Sequence, residues 1–205
     1  MTSQPAIFVA DAPALDFLNS LATPVDTPVD WIDDGGGLLD WLGQAGLVPA
    51  EALERLRAQA TPAELDSVAA QARSLREWFR AFVAERRGRP LEPADLEALE
   101  PLNHLLERDE TFGRIAPHPH GDLPFALVAE RRWDSPEALL QPVGQVMARF
   151  VCEQDFTDVK ACEGPSCTLT FADHTRGRAR RWCSMAICGN RAKQAAHRSR
   201  LKSKA

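Results

Sequence analysis

The segment CEGPSC at residues 162–167 is followed, fifteen residues later, by CSMAIC at residues 183–188. Each segment begins and ends with cysteine, so two pairs of thiols lie close together in the chain. A structural zinc ion is held by four ligands in a tetrahedron, and two such cysteine pairs supply all four. The spacing therefore predicts one structural Zn(II) ion, with no coordination position left open for catalysis. The predicted ligands are Cys162, Cys167, Cys183 and Cys188.

The alternative to a metal site is a set of buried or redox-active cysteines. The segment carries few apolar residues with which to hide four thiols, and clustered cysteines in a reducing compartment favour a metal over disulfides. We therefore expect this segment to fold by binding the metal. Gly164, Pro165 and Gly189 are interpreted as giving the two turns their backbone freedom. His174 or His197 is the alternative to one of the thiolates.

Three stretches around the second cysteine pair resemble a known family of zinc fingers. FADHTR at 171–176, RRWCSM at 180–185 and CGNRAK at 188–193 are similar to the CGNR zinc finger. Residues 14–21 and the sequence that follows them resemble the ABATE-type domain that usually precedes this finger. The resemblance implies a bacterial transcription regulator linked to stress responses, with a finger that binds DNA through the same four zinc ligands. The family pattern has Ser where this chain has Thr175, a change that keeps the hydroxyl.

Charge is distributed unevenly along the 205 residues. The last 32 residues, from His174 to Ala205, hold ten of the 24 Lys and Arg residues and no Asp or Glu. The residues before them hold the other 14 basic residues and all 29 acidic ones, a net charge of −15. An acidic body followed by a basic tail predicts two modules, the second of which meets a polyanion. The alternative is a tail that is merely solvated.

The basic residues fall in a loop, 175–182, and in a predicted helix that runs from Asn190, its N-cap, to Leu201. This helix has almost no apolar stripe, so we expect it to lie on a polyanion or to fray in solvent. Arginine and lysine neutralise phosphates, while arginine, asparagine and glutamine also pair with base edges in the major groove. The candidate nucleic-acid contacts are Arg176, Arg178, Arg180, Arg181, Arg191, Lys193, Gln194 and Arg198.

Three other residues of the finger have predicted roles. Trp182 and Phe171 are expected to form its small apolar core, and stacking on a base is the alternative for Trp182. Asp173 is expected to pair with Arg176 or Arg181 and so to orient the basic loop.

The sequence before the finger predicts a mostly helical body. The capping box of Thr61 and Glu64, with Pro62 at the first helical position, starts the best-defined helix. Predicted helices span 14–21, 38–46, a segment beginning at Pro49, 61–87, 93–108 and 135–150, and a β-hairpin joins 111–116 to 125–130. The fold class is therefore mainly α (α+β), with a helical domain over 1–156 that includes a small hairpin. A small zinc-finger module with four cysteine ligands and a basic C-terminal helix occupies 157–205.

These features favour a transcription regulator that binds DNA, whose body acts as a sensor or an oligomerisation module. The alternative is a zinc-dependent module that binds RNA or an acidic protein. A single finger contacts little DNA, so a homodimer is a further expectation. The sequence has no signal peptide and no stretch approaching about 18 apolar residues, so we expect a cytoplasmic protein without a membrane partner.

An enzyme is not expected. The sequence contains no nucleophile elbow, phosphate-binding loop or HExxH motif. His118 and His120, with Glu130 or Cys152, are the candidates for a catalytic site, but a His pair bracketed by prolines is more typical of an exposed turn. Cys152 is predicted to be a buried core cysteine.

Overall fold

The computed structural model describes residues 5–24, 26–118 and 123–202. His120 of the predicted turn and Lys204 of the basic tail lie outside these ranges. The α-helices are α1 (Pro13–Leu18), α2 (Gly35–Gln44), α3 (Ala50–Gln59), α4 (Pro62–Arg86), α5 (Glu100–Leu106), α6 (Leu140–Glu153) and α7 (Asn190–Lys202). The strands are β1 (Leu21–Ala22), β2 (Val29–Asp30), β3 (Thr111–Pro117), β4 (Phe125–Arg131), β5 (Val159–Ala161) and β6 (Thr170–Ala172). They form three separate antiparallel pairs, each of which joins consecutive strands. The mainly α fold class is confirmed.

The longest helix, α4, begins and ends where the sequence predicts. The Thr61 hydroxyl accepts a hydrogen bond from the Glu64 backbone N–H, and the Glu64 carboxylate accepts one from the Thr61 N–H at 2.7 Å. These two bonds satisfy N–H groups that the first turn of a helix leaves without partners. Gly88 follows the helix with φ +83°, a backbone conformation that favours glycine.

The core is built around the short helix α1, which contacts α4, α6 and also strand β6. Its side chains Leu15, Phe17 and Leu18 are fully buried. Because β6 belongs to the cysteine-rich segment, that segment shares one hydrophobic core with the helical body. The predicted boundary between a domain over 1–156 and one over 157–205 stays a prediction.

A cluster of phenylalanines joins the body to the start of the cysteine-rich segment. Phe156 lies in the short 3-10 turn that precedes β5. Its ring is 6.0 Å from that of Phe82 on α4 and 5.3 Å from that of Phe150 on α6, both centroid to centroid. Tilted and edge-to-face pairs at these separations are favourable contacts beyond the apolar area that they bury. The chain therefore enters β5 from a fixed position.

The predicted hairpin is confirmed, and it projects from the body. Strands β3 and β4 pair along their whole length, with Ile115 opposite Leu127. Both of these side chains are largely exposed, and Arg114 pairs across the strands with Glu130 at 3.2 Å. The predicted homodimer is not tested by these features and stays a prediction.

Two predictions about the body are wrong. The segment predicted as one helix over 93–108 is a 3-10 helix (Pro93–Leu99) followed by α5, and Pro101, in the first turn of α5, has no N–H with which to continue the hydrogen bonding of the preceding turn. Leu96 and His104 of this segment are exposed. Cys152 is exposed rather than buried. Cys152 lies two residues after the buried Phe150 and therefore points about 200° away from it around the helix axis.

In the described part of the chain, no helix is both long and apolar enough to cross a membrane.

Helix α2 packs closely against α4 at a glycine. A Cβ atom added at Gly35 would lie 2.4 Å from the Cβ of Leu65 and 2.7 Å from its backbone carbon. The Gly35 N–H also donates to the Asp66 carboxylate at 2.8 Å. The first glycine of the Gly35–Gly37 run is therefore required for close approach of the two helices.

Gly35→Ala should lower the free energy of unfolding by about 3 kcal/mol, because the added methyl group meets backbone that cannot move aside. Urea denaturation followed by circular dichroism measures this change. Gly36→Ala is the matched control: its Cβ would meet only a carboxylate oxygen of Asp34 at 3.3 Å, and alanine favours a helix. Equal stability of the two variants would contradict the packing argument.

Candidate metal centre and basic surface

The first cysteine pair is placed by the β5–β6 pair. Strand β5 ends at Ala161 and β6 begins at Thr170, so Cys162 and Cys167 lie in the connection between them. The Cys162 N–H donates to the Leu169 carbonyl at 2.9 Å and extends the pairing by one step. The Cys167 N–H donates to the Gly164 carbonyl at 3.1 Å and closes the turn. Both thiols consequently point to one side of the connection.

The second pair lies where the chain enters a helix. The Ser184 hydroxyl accepts a hydrogen bond from the Ile187 N–H at 3.0 Å and caps a π-helical turn (Met185–Gly189) that continues into α7. Cys183 precedes the cap and Cys188 lies inside the turn. The predicted N-cap, Asn190, is wrong: it already has helical backbone angles, because the helical run starts five residues earlier at Met185.

The four predicted zinc ligands converge. Their Sγ atoms all lie within 4.8 Å of one another, and those of Cys167 and Cys183 are 3.9 Å apart. A tetrahedral ion with Zn–S bonds of about 2.3 Å holds its sulfurs about 3.8 Å apart. Backbone N–H groups of Gly164 and Cys183 donate hydrogen bonds to the Cys162 sulfur. The donor set therefore fits one zinc ion, as the sequence predicts, and does so without His174 or His197.

Proximity sets the protonation of these thiols. Hydrogen bonds, the strongest of them with Cys183, lower the pKa of Cys167 to about 5. The hydrogen bond with Cys167 and then burial raise the pKa of Cys183 far above its ordinary value, and burial raises that of Cys188 to about 12. Without a cation these shifts favour a thiolate at Cys167 and protonated thiols at Cys183 and Cys188. Metal binding has to release protons at Cys183 and Cys188, so acid opposes it.

Three of the four thiols, those of Cys162, Cys183 and Cys188, are buried. The expectation that the segment cannot hide its thiols is wrong, because the body supplies the apolar cover. Leu169 and Phe171 are fully buried within the shared core, and Trp182 packs against it. The predicted core role of Trp182 and Phe171 therefore extends beyond the finger.

The glycines of the two turns serve close approach rather than backbone freedom. Neither Gly164 nor Gly189 has a positive φ. A Cβ added at Gly164 would lie 2.9 Å from the Cys188 sulfur and 3.0 Å from the Cys167 Cβ. A Cβ added at Gly189 would meet the Met185 sulfur at 2.5 Å. Gly164 thus allows the two cysteine pairs to meet.

Asp173 is the buried polar centre of the finger. Its carboxylate accepts hydrogen bonds from Lys160 at 2.7 Å, from the Thr175 hydroxyl at 2.6 Å and from the Arg180 N–H at 2.8 Å. Burial opposes its ionisation, but these donors hold the pKa of Asp173 well below the usual range. The predicted pairing with Arg176 or Arg181 is wrong: Asp173 pairs with Lys160 on strand β5, and Arg181 pairs with Glu163.

Arg180, a predicted nucleic-acid contact, lies inside the protein. Its side chain is 17% exposed and donates to the carbonyls of Val9 at 2.7 Å and Trp182 at 3.0 Å. It also pairs with Asp11 at 2.5 Å, and its guanidinium lies 4.2 Å from the centre of the Phe171 ring. We therefore assign Arg180 to joining the finger and the body in this structure.

The other basic candidates divide into paired and unpaired groups. Ion pairs link Arg178 to Asp158 at 3.2 Å, Arg181 to Glu163 at 2.5 Å and Arg191 to Asp26 at 3.3 Å. In contrast, four candidate side chains are exposed and have no hydrogen-bond or ion-pair partner among the described residues: Arg176, Lys193, Gln194 and Arg198.

Sequence reasoning missed Lys160, Asp11 and Asp26, all of which contact the finger's charged residues. Asp26 precedes its partner Arg191 by 165 residues and Asp11 precedes Arg180 by 169, so no local pattern signals either pair. Lys160 on β5 could have been recognised, because it lies next to Asp173 once β5 and β6 are paired.

Gly164→Ala should weaken zinc binding at least tenfold, because the added methyl group separates Cys167 from Cys188. Competition with a chromogenic chelator measures the zinc affinity. Gly177→Ala is the matched control within the same finger, since a Cβ there meets nothing within 4 Å. Unchanged zinc affinity in Gly164→Ala would show that the two turns can separate without cost.

Asp173→Asn should lower the free energy of unfolding by about 2–3 kcal/mol at pH 7, because it removes a buried charge to which Lys160, Thr175 and Arg180 donate hydrogen bonds. Since the pKa of Asp173 is lower in the folded protein, this contribution is complete above its ordinary value of 3.8 and is lost as the pH falls below it. Urea titrations of the wild type and the variant, carried out above and below pH 3.8, measure this contribution. The control Asp40→Asn, which breaks a half-exposed pair with Arg57, should cost under about 1 kcal/mol.

Comparison with known families gives two matches. Residues 11–154 match the ABATE family model, described as "Putative stress-induced transcription regulator". Residues 159–201 match the CGNR zinc finger model. No curated protein matches the chain. The two matches follow the order that the resemblance implies.

Proposed function

The chain belongs to the ABATE family and carries a CGNR zinc finger, and from this membership we propose that it regulates transcription by binding DNA through the finger and α7. The observation that carries the proposal is the surface of α7. Its exposed side chains Lys193, Gln194 and Arg198 have no partner among the described residues. Cations left unpaired on a helix without an apolar face favour a polyanionic ligand.

The zinc cluster gives this helix a fixed direction. Cys188 lies in the π-helical turn that continues into α7, so the four thiols anchor the beginning of the helix. The thirteen residues of α7 extend about 20 Å at 1.5 Å per residue, and a major groove about 12 Å wide admits such a helix. Lys193 and Arg198 suit phosphate oxygens, and Gln194 has the amide that pairs with adenine.

The basic loop contributes less to this surface than its composition indicates. Arg180 is used inside the protein, and Arg178 and Arg181 are paired with acidic residues. Arg176 is the loop's unpaired cation within the described part of the chain. The proposed contact surface is therefore α7 with Arg176 beside it.

The remaining expectations are part of the proposal. The helical body acts as a sensor or an oligomerisation module, and the protein is not an enzyme. Of the residues considered for catalysis, Glu130 is paired with Arg114 on the hairpin and Cys152 lies exposed near the end of α6. An RNA or an acidic protein is the alternative partner for the same cations.

Fluorescence anisotropy with a random duplex at two salt concentrations tests DNA binding. We expect Cys183→Ser to lose most of the affinity, because the start of α7 is no longer anchored. Lys193→Gln combined with Arg198→Gln should flatten the slope of log affinity against log salt by about 2, since each phosphate contact contributes about 0.9.

The control is Arg57→Gln, which removes an exposed cation of the body and should change the affinity little. Equal binding by the wild type and Cys183→Ser, or no binding by either, would contradict the proposal. Preference for a structured RNA over the duplex would favour the alternative partner.

A further inference from the structure

One acidic side chain of the body lies against the finger's basic surface. Asp26 belongs to the connection between β1 and β2. Its Oδ1 accepts a hydrogen bond from the Ser166 hydroxyl at 3.0 Å, and its two oxygens lie 3.4 and 3.3 Å from Nη2 of Arg191. Ser166 lies between the first two zinc ligands, and Arg191 lies three residues after the last.

The groups around this carboxylate form a site for an oxyanion. A hydroxyl and a guanidinium both donate hydrogen bonds, and a phosphate oxygen accepts them as a carboxylate oxygen does. The same residues line a cavity of about 230 Å³ between the first zinc turn and α7. Arg198, also in its lining, has no partner among the described residues. The cavity thus offers a second cation, about two turns further along the helix from Arg191.

The floor of the cavity suits a nucleic-acid backbone. Pro165, Ala192 and Ala195 contribute small apolar surfaces, so a phosphate can approach the two arginines without meeting a bulky side chain. The position is continuous with the exposed face of α7 that carries Gln194, one turn after Arg191.

We propose that Ser166, Arg191 and Arg198 bind one backbone phosphate of the nucleic acid, and that the Asp26 carboxylate occupies this site in the free protein. The site rests on the proposed function, because it assigns one of the contacts by which the finger would hold DNA. Asp26 acts as an internal substitute for the phosphate, and binding exchanges one anion for the other.

The exposure of the pair makes the exchange feasible. The Asp26 side chain is 71% exposed and that of Arg191 is 45% exposed, and ion pairs in such surroundings contribute little to stability. A phosphate carried by a long polyanion can therefore displace the carboxylate. The buried pair of Lys160 and Asp173 could not be exchanged in this way, because Asp173 has no access to solvent.

A double-mutant cycle in full-length, zinc-loaded protein tests the exchange. Asp26→Asn should raise the affinity for the random duplex about two- to fivefold at low salt, the range expected for releasing one exposed pair. In the Arg191→Gln background the same change should have no effect, because the carboxylate no longer competes for that cation. Asp40→Asn, an exposed acid of the body, is the control for loss of charge alone.

Equal gains from Asp26→Asn with and without Arg191 would overturn the inference, since they would reflect long-range repulsion rather than a shared site. No gain in the wild-type background, in a protein that does bind DNA, would overturn it as well.

A second measurement does not depend on DNA. Inorganic phosphate, titrated into ¹⁵N-labelled protein, should shift the Nε–Hε signal of Arg191 at a lower concentration in Asp26→Asn than in the wild type. Ser166→Ala should reverse part of that gain. If the duplex does not bind but phosphate shows this difference, the proposed function fails and the anion site stands. If phosphate leaves the Arg191 signal unchanged in both proteins, the anion site fails.

Discussion

The buried contact between Asn19 and Thr170 fixes the zinc finger against the helical body. The Asn19 side chain donates to the Thr170 carbonyl at 2.8 Å and accepts from the Thr170 N–H at 2.9 Å, across 151 residues of sequence. It pairs with β6 on the edge that β5 leaves free, as a further strand would. Because Cys167 lies just before β6, this contact fixes half of the metal centre relative to α1. Breaking it would leave two backbone groups unsatisfied inside the core.

The shared core changes how the finger is stabilised. Zinc-finger peptides depend on the metal because they have too little apolar surface to fold alone. Here Leu169 and Phe171 are buried with the body, and the Phe156 cluster fixes the chain on its way into β5. The β5–β6 pair therefore has support that does not require zinc. The turn after Cys183 has less support of this kind. The main structural effect of the metal therefore falls on the second cysteine pair and on the direction of α7.

The features that the sequence predicts correctly depend on residues close together in the chain. The capping box of Thr61 and Glu64, the hairpin of β3 and β4 and the two cysteine pairs all involve short spacings or regular alternation. The errors concern contacts between distant segments. The thiols are buried because α1 of the body packs into the same core as the finger. The spacing of residues within the finger does not predict this packing. The roles of Arg180 and Asp26 likewise depend on partners more than 130 residues away.

These distant contacts sort the finger's cations into two kinds. Arg180 connects carbonyls and a carboxylate from both parts of the protein, so its charge is used to join them. Lys193 and Arg198 contact no other described side chain by a polar bond and remain for a ligand. Arg191 stands between the two kinds, because its partner Asp26 is exposed. If phosphate and Asp26 exclude each other at Arg191, linkage requires the effect to be reciprocal. The contact of Asp26 with Arg191 must then lower the affinity for nucleic acid by a certain factor. Bound nucleic acid must weaken the contact between Asp26 and Arg191 by the same factor.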